Sequence, residues 1–224
     1  VPSMMAPGRP IPNVTTVKRK LEVSKGVGRL KMIPDLLLVI DSSGSMGWRP
    51  WNNDPDNRGD FDKAILGGEG AAIYAIDNGG KVAVINFSAD SNVTVQSYTN
   101  DINKIEKALM VNYGGVTTVP VKELGEMIRK TKNPLLTGLM SDCEIWNKDA
   151  AEKAFRKSIN RTDNMAIFHI DTSSYGGSSD FISSMKSAGA NIYTVKKISD
   201  LVGIVVGSVR KEYRRALNKN GGNN

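Results

Sequence analysis

Short, continuous apolar segments of strand length alternate along this chain with segments of helical periodicity. Leu36–Ile40 is an uninterrupted apolar run, and mostly apolar segments of similar length cover residues 81–87, 135–140 and 165–170. A strand that is apolar at every position is buried on both faces, as in a parallel sheet covered by helices. None of these runs approaches the roughly 20 apolar residues that span a membrane.

The order of these segments predicts the fold class. Helices are expected at about 61–76, 101–109, 149–159 and 180–188, and residues 93–98 alternate like an edge strand in a hairpin with 81–87. Strands that alternate with helices form right-handed crossovers and a parallel sheet. We therefore predict an α/β, doubly wound, Rossmann-like domain, with a mostly parallel central sheet, one antiparallel edge strand and helices on both faces.

Length and charge suggest one domain with basic ends. The chain has 224 residues and a net charge of +7. Residues 1–31 carry seven Lys and Arg against one Glu, and residues 209–224 carry five against one, which leaves the body at −3. We predict a basic arm or linker at 1–32, the domain at 33–215 and a flexible polar tail at 216–224. The basic ends are either solvated segments or segments whose positive charge attracts nucleic acid.

Two scarce residue types exclude several chemistries. The single cysteine, Cys143, excludes an internal disulfide framework and a cysteine-rich zinc site, and the single histidine, His169, argues against a Ser-His-Asp triad. Residues 1–12 lack the charged start and apolar core of a signal peptide. We expect a cytoplasmic rather than an extracellular protein, and the missing initial Met suggests a fragment of a longer one.

The first apolar strand ends in a polar motif, Asp41-Ser42-Ser43-Gly44-Ser45. Asp41, Ser43 and Ser45 alternate, so their oxygens can converge on one point in a tight turn, and Gly44 permits that turn. In doubly wound sheets, ligands bind outside the carboxyl ends of the strands. The motif is therefore a candidate cation site.

Two further oxygen donors are expected at the same edge. Thr117 follows a Gly-rich loop, and Asp142 follows another apolar strand. Thr118 is an alternative to Thr117, and one of the two threonines is expected to cap a helix with Pro120 in its first turn. Carboxylates and hydroxyls without nitrogen or sulfur suit Mg²⁺, Mn²⁺ or Ca²⁺.

This pattern resembles a von Willebrand factor type A (VWA) domain with its metal-ion-dependent adhesion site. The family signature is Asp-x-Ser-x-Ser, a Thr in a Gly-x-Thr loop, and an Asp after a later strand. The matching residues are Asp41, Ser43, Ser45, Thr117 and Asp142. The resemblance covers roughly residues 35–210, and it departs from the family at Cys143, where Gly is common.

The resemblance implies a role for each residue of the motif. Ser43 and Ser45 would bind the metal directly, Asp41 and Asp142 mostly through water, and Thr117 in either way. A Glu or Asp of a protein partner would take the remaining metal position. The residues expected to contact that partner are Trp48, Gly115, Cys143 and Glu144.

The function implied by the resemblance is non-catalytic, metal-dependent binding of a protein. Intracellular relatives often work with ring-forming AAA+ ATPases of the MoxR type, and this is the favoured setting. Extracellular or surface adhesion is the alternative setting. A magnesium-dependent phosphohydrolase is a third reading, but it would use an Asp-x-Asp pair, and Ser43 stands where the second Asp would be.

Overall fold

The computed structural model describes residues 33–47, 59–89, 91–161, 164–170, 179–196, 204 and 206–219. The strands in this part of the chain are β1 (Asp35–Asp41), β2 (Val82–Phe87), β3 (Val93–Thr99), β4 (Leu135–Ser141), β5 (Asn164–Ile170) and β6 (Asn191–Val195). The helices are α1 (Asp60–Asp77), α2 (Ile102–Leu109), α3 (Val121–Lys130), α4 (Lys148–Arg161), α5 (Ser179–Ser187) and α6 (Gly207–Lys219). A 3-10 turn, Gly44–Met46, follows β1.

The strands form one sheet in the order β3-β2-β1-β4-β5-β6. All neighbouring pairs are parallel except β2 and β3, which pair in antiparallel register at one edge. Because β3 lies at that edge, its residues are partly or fully exposed. The predicted doubly wound sheet with one antiparallel edge strand is confirmed.

The central position of β1 explains why its sequence does not alternate between apolar and polar residues. Leu36, Leu38 and Ile40 pack in one apolar cluster with side chains of α1, α2 and α6. Leu37 and Val39 pack in a second cluster with side chains of α3, α4 and α5. Helices cover both faces of the sheet, so every residue of β1 is buried.

The strand order reverses beside β1, which positions the candidate site. From β1 the chain continues to β2 on one side, whereas β4 and the strands after it lie on the other side. At such a switch point the loops that leave the two central strands diverge and leave a crevice for a ligand. Asp41 is the last residue of β1, and Asp142 directly follows β4.

The start of α3 differs from the expectation. Pro120 is the N-cap residue and the helix has no side-chain cap, so neither Thr117 nor Thr118 caps it. The side chain of Asn147 instead accepts a hydrogen bond from Val119 N and donates one to Val119 O, both at 2.9 Å. These bonds satisfy the backbone just before the helix and leave the two threonines in the preceding loop.

The described residues belong to one compact unit, which spans Lys31–Asn224. No helix among them combines the length and the apolar character that crossing a bilayer requires. The predicted basic arm at 1–32 lies outside the described residues and stays a prediction.

Candidate metal centre

Three loops meet at the carboxyl edge of the sheet, and backbone hydrogen bonds join them. Gly44 N, after β1, donates to Gly115 O, before α3, at 2.8 Å, and a second bond of 2.9 Å runs between the same loops in the opposite direction. Trp146 N, after β4, donates to Thr117 O at 2.9 Å. The three segments that carry the predicted metal ligands are therefore one connected structure.

Gly44 is required for the close approach of the first two loops. A Cβ atom at this position would lie 3.3 Å from Gly115 O and 3.4 Å from Gly115 N, so a side chain would push the loops apart. The backbone of Gly44 is not left-handed, whereas Gly115 has a φ of 87°. The small size of Gly44 matters here more than its conformational freedom.

Asp41 is fully buried, and two donors orient its carboxylate. Ser43 N donates to Oδ1 at 2.9 Å, and the Ser141 hydroxyl donates to Oδ2 at 2.5 Å. Burial, followed by the nearby charge of Asp142, raises the pKa of Asp41 from 3.8 to about 7, although the hydrogen bonds oppose this rise. Ionised Asp41 is therefore costly unless a cation lies beside it.

Asp142 is also buried, and only one of its carboxylate oxygens has a donor. Glu144 N donates to Oδ1 at 3.1 Å, whereas Oδ2 is buried without a hydrogen-bond partner. Within the described ranges, no cationic side chain forms an ion pair with Asp41 or Asp142. An unpaired buried carboxylate oxygen carries a large desolvation penalty. A divalent cation would remove that penalty.

The hydroxyl groups have a spacing that suits metal coordination. The hydroxyl oxygens of Ser43 and Ser45 lie 3.1 Å apart. Adjacent ligands of an octahedral ion with bonds of about 2.1 Å are separated by about 3.0 Å. Thr117 is buried, and its hydroxyl has no hydrogen bond to another described residue. The alternative, Thr118, is held by its backbone N, which donates to Ser88 O at 2.7 Å.

The donor set favours a hard cation. Within the described ranges, no group of three or more His, Cys, Asp or Glu is placed to hold a metal ion. Two carboxylates with neighbouring hydroxyls instead form an all-oxygen set, which fits Mg²⁺, Mn²⁺ or Ca²⁺ better than zinc or copper. The residues present therefore fit the metal that the resemblance implies.

Comparison with known proteins identifies the fold. No protein-family model matches the chain, and no curated protein matches it either. Among solved structures, the pilus adhesin SpaC from Lactobacillus rhamnosus GG aligns with a TM-score of 0.65 and 12% identity, over 84% of this chain and 31% of the adhesin. The SpRpn10 VWA domain aligns with a TM-score of 0.56 and 15% identity, over 77% of this chain and 95% of that domain. The chain has the VWA fold.

A third solved structure aligns over nearly its whole length. The conserved hypothetical protein BatB from Bacteroides thetaiotaomicron aligns with a TM-score of 0.60 and 12% identity, over 81% of this chain and 99% of its own. At these identities the likeness concerns the fold alone. The chain spans about a third of the pilus adhesin, so the activity of that whole protein is not carried over.

The residues predicted to contact a partner differ in how exposed they are. Gly115 is exposed and Glu144 is half-buried. Partial burial and the charge of Asp142 raise the pKa of Glu144. Cys143 is 0% exposed, so its side chain is not available to a partner in this structure, and the contact stays a prediction. Trp48 lies outside the described residues.

Cys143 has a structural role. Its φ of 63° is left-handed, which L-residues other than Gly rarely adopt. Its side chain packs in the apolar cluster beneath α3, α4 and α5, and its N donates to Ser141 Oγ at 2.8 Å. Burial raises the pKa of the thiol well above its usual range.

Three residues that shape the site were missed from the sequence. Ser141 orients Asp41, and Ser88 donates to the backbone oxygens of Gly114 and Val116 in the threonine loop. A small polar residue at the end of each apolar strand was the available signal for both serines. Trp146 is 77% exposed beside the threonine loop, and no local pattern in the sequence marks it.

Proposed function

We propose that this VWA domain is a divalent-metal-dependent protein-binding module that captures a carboxylate of its partner and has no catalytic activity of its own. The observation that carries this proposal is the buried, unpaired Oδ2 of Asp142 beside Asp41. Two buried carboxylates that share one loop cluster repel each other unless a cation lies between or beside them. The divalent metal that we propose is that cation.

The role of each residue in this proposal follows from the resemblance, and the 3.1 Å between the hydroxyl oxygens of Ser43 and Ser45 supports it. Ser43 and Ser45 would bind the metal directly, Asp41 and Asp142 would act mostly through water, and Thr117 would act in either way. A metal whose direct protein ligands are mostly neutral keeps much of its positive charge. That charge attracts an acidic side chain of a partner, which can approach because Ser45 is exposed.

The setting of the partner is a separate part of the proposal. We propose a role beside an AAA+ ATPase of the MoxR type, in which the domain would recruit or position a protein with an exposed Asp or Glu. Surface adhesion is the second candidate, and the likeness of the fold to a pilus adhesin favours it. Both settings use the same chemistry at the metal.

A magnesium titration by calorimetry tests the metal site, and capture from native lysate with magnesium or EDTA tests the binding function. We expect both signals in the wild type and neither in Ser43→Ala/Ser45→Ala. The matched control is Ser183→Ala/Ser187→Ala, which removes two exposed hydroxyls of α5. Equal magnesium binding by both double variants would contradict the site, and magnesium-dependent hydrolysis of p-nitrophenyl phosphate would contradict the absence of catalysis.

A further inference from the structure

A groove of about 510 Å³ lies between helices α3 and α4. Both helices begin at the carboxyl edge of the sheet, directly after the loops of the candidate metal centre, and both pack on the same face. The groove is mainly apolar, with Ile128, Ala150 and Ala154 among its lining residues. The lining residues include none of the predicted metal ligands, so the groove is a surface distinct from the metal centre. The function proposed above does not use it.

Four cationic side chains line this groove, which we call the α3–α4 groove. They are Lys122 and Arg129 on α3, and Lys153 and Lys157 on α4. All four are exposed, and none forms an ion pair with a described carboxylate. No acidic residue lines the groove. The positive charge of the lining stands out because the body of the chain is net acidic, although Glu126 on α3 and Asp149 on α4 lie one helical turn from some of these cations.

The spacing of the cations places them in two rows. Lys122 and Arg129 are seven residues apart on α3, and Lys153 and Lys157 are four residues apart on α4. Residues at these separations share one face of a helix. Each helix therefore presents a cationic row to the groove, with the apolar residues between the rows.

Gly125 keeps the groove open on its α3 side. Glycine is among the least favourable residues inside a helix, so a glycine in the middle of α3 needs a reason. A Cβ at this position would approach only Arg129 Nη1, at 3.4 Å. That contact is with the end of a flexible side chain, so the packing of the fold does not require glycine here. The space left by Gly125 is available to a ligand.

We propose that the α3–α4 groove binds an acidic, amphipathic segment of a partner protein. Apolar side chains of that segment would lie on Ile128, Ala150 and Ala154, and its carboxylates would pair with the two cationic rows. Charge complementarity and the apolar lining together favour a peptide over single-stranded nucleic acid, which binds through aromatic stacking platforms. The residues that line the groove include no aromatic side chain.

The test uses a fluorescein-labelled helical peptide with a leucine face flanked by glutamates, and anisotropy measured in EDTA. EDTA removes divalent metal, so peptide binding measured in EDTA does not depend on the metal centre. Failure of this proposal would therefore leave the proposed metal-dependent function intact, and the reverse also holds. We expect the wild type to bind the peptide, and Lys153→Glu/Lys157→Glu to weaken binding about tenfold or more. Gly125→Leu fills the groove without a change in charge and should weaken binding to a similar extent.

The control is Lys104→Glu/Lys107→Glu on α2, a helix that packs on the opposite face of the sheet. It makes the same change in net charge and should leave affinity within twofold of the wild type. Equal weakening by this control, or unchanged binding by Gly125→Leu, would overturn the proposal. So would equal binding of a peptide with glutamines in place of the glutamates, or tighter groove-dependent binding of single-stranded DNA.

Discussion

The Ser141 hydroxyl donates a hydrogen bond of 2.5 Å to Oδ2 of Asp41, and this bond links the carboxyl ends of the neighbouring strands β4 and β1. The same hydroxyl oxygen accepts a bond from Cys143 N at 2.8 Å. One buried side chain thus orients the first predicted carboxylate and anchors the loop that carries the second. Residues that hold metal ligands in position in this way commonly change metal affinity when they are mutated.

Ser141→Ala should weaken magnesium binding about tenfold, because Asp41 would lose the donor that fixes its orientation. The free energy of unfolding should fall by about 1 kcal/mol, since a buried hydrogen bond is lost. Calorimetry measures the affinity, and urea unfolding in EDTA measures the stability.

The control for this variant is Ser158→Ala. Ser158 is also buried, and its hydroxyl lies 3.0 Å from that of Thr137, near the start of β4 and away from the metal centre. We expect a similar loss of stability without a change in magnesium affinity. If both variants bound magnesium as the wild type does, Ser141 would have no part in the site.

Asp142→Asn should stabilise the metal-free domain and abolish its response to magnesium. The substitution removes a buried charge whose Oδ2 has no partner, and it removes the repulsion that contributes to the raised pKa of Asp41. We expect a gain of about 1 kcal/mol in EDTA, the scale of an unsatisfied buried polar group. Thermal unfolding with EDTA and with magnesium measures both effects. A variant that still gained stability from magnesium would contradict the site.

The raised pKa of Asp41 predicts a dependence of stability on pH. The folded, metal-free protein retains a proton on Asp41 up to about pH 7, whereas the ordinary carboxyl loses it near 3.8. Between these values the folded state binds more protons than the unfolded state, so stability falls as pH rises, by at most about 1.4 kcal/mol per pH unit. Magnesium competes with that proton, so the stabilisation by magnesium should be small near pH 5 and large above pH 7.

Thermal unfolding across this pH range, with magnesium and with EDTA, checks the prediction. Asp41→Asn has no proton to lose at this position, so its stability in EDTA should vary less between pH 4 and 7 than that of the wild type. An unchanged pH profile in this variant would show that another group is responsible.

The sequence allowed prediction of the sheet because each parallel strand is buried on both faces. The uninterrupted run Leu36–Ile40 has this form for that reason, and the alternation at 93–98 reflects an exposed edge. The candidate metal centre was predicted for a related reason and stays a prediction. Asp41 and Asp142 follow buried parallel strands, whose carboxyl ends meet at the edge of the sheet where ligands bind.

The features that could not be predicted depend on contacts between distant residues. Asn147 binds the backbone of Val119, 28 residues away, and so the threonines lie in a loop instead of capping α3. Cys143 was expected to contact a partner, whereas its side chain packs in the core on a left-handed backbone. The amino-acid sequence shows neither the distant hydrogen bond nor the backbone angle.

Substitution of Cys143 by glycine should leave the protein more stable than substitution by alanine, which is the reverse of the usual order. Cys143→Ala loses the packing of Sγ and keeps the left-handed backbone, whereas Cys143→Gly relieves that strain. We expect the glycine variant to be more stable than the alanine variant by about 1 kcal/mol. At Ser183, exposed within α5, alanine should be the more stable of the two by a similar amount. Urea unfolding compares the four variants, and the same order at both positions would contradict the role assigned to the backbone of Cys143.

Among the described residues, Trp146 is an exposed aromatic side chain beside the loops of the candidate metal centre, and we predict that it contacts a partner. It is 77% exposed, and its backbone N is held by Thr117 O at 2.9 Å, so the side chain projects from an anchored loop. Exposed tryptophans at the centre of interfaces often contribute most of the binding energy. Trp146→Ala should reduce magnesium-dependent capture of the partner at least tenfold, while stability changes by less than about 0.5 kcal/mol.

The control for Trp146 is Ile73→Ala, which removes another exposed apolar side chain. Ile73 is 43% exposed and lies near the end of α1, where the chain returns to the opposite edge of the sheet. Capture from lysate, quantified with magnesium and with EDTA, should be unchanged in this control. Magnesium affinity itself should remain at the wild-type value in Trp146→Ala. Loss of capture in that variant would therefore assign the tryptophan to the partner interface. Full capture would exclude it from that interface.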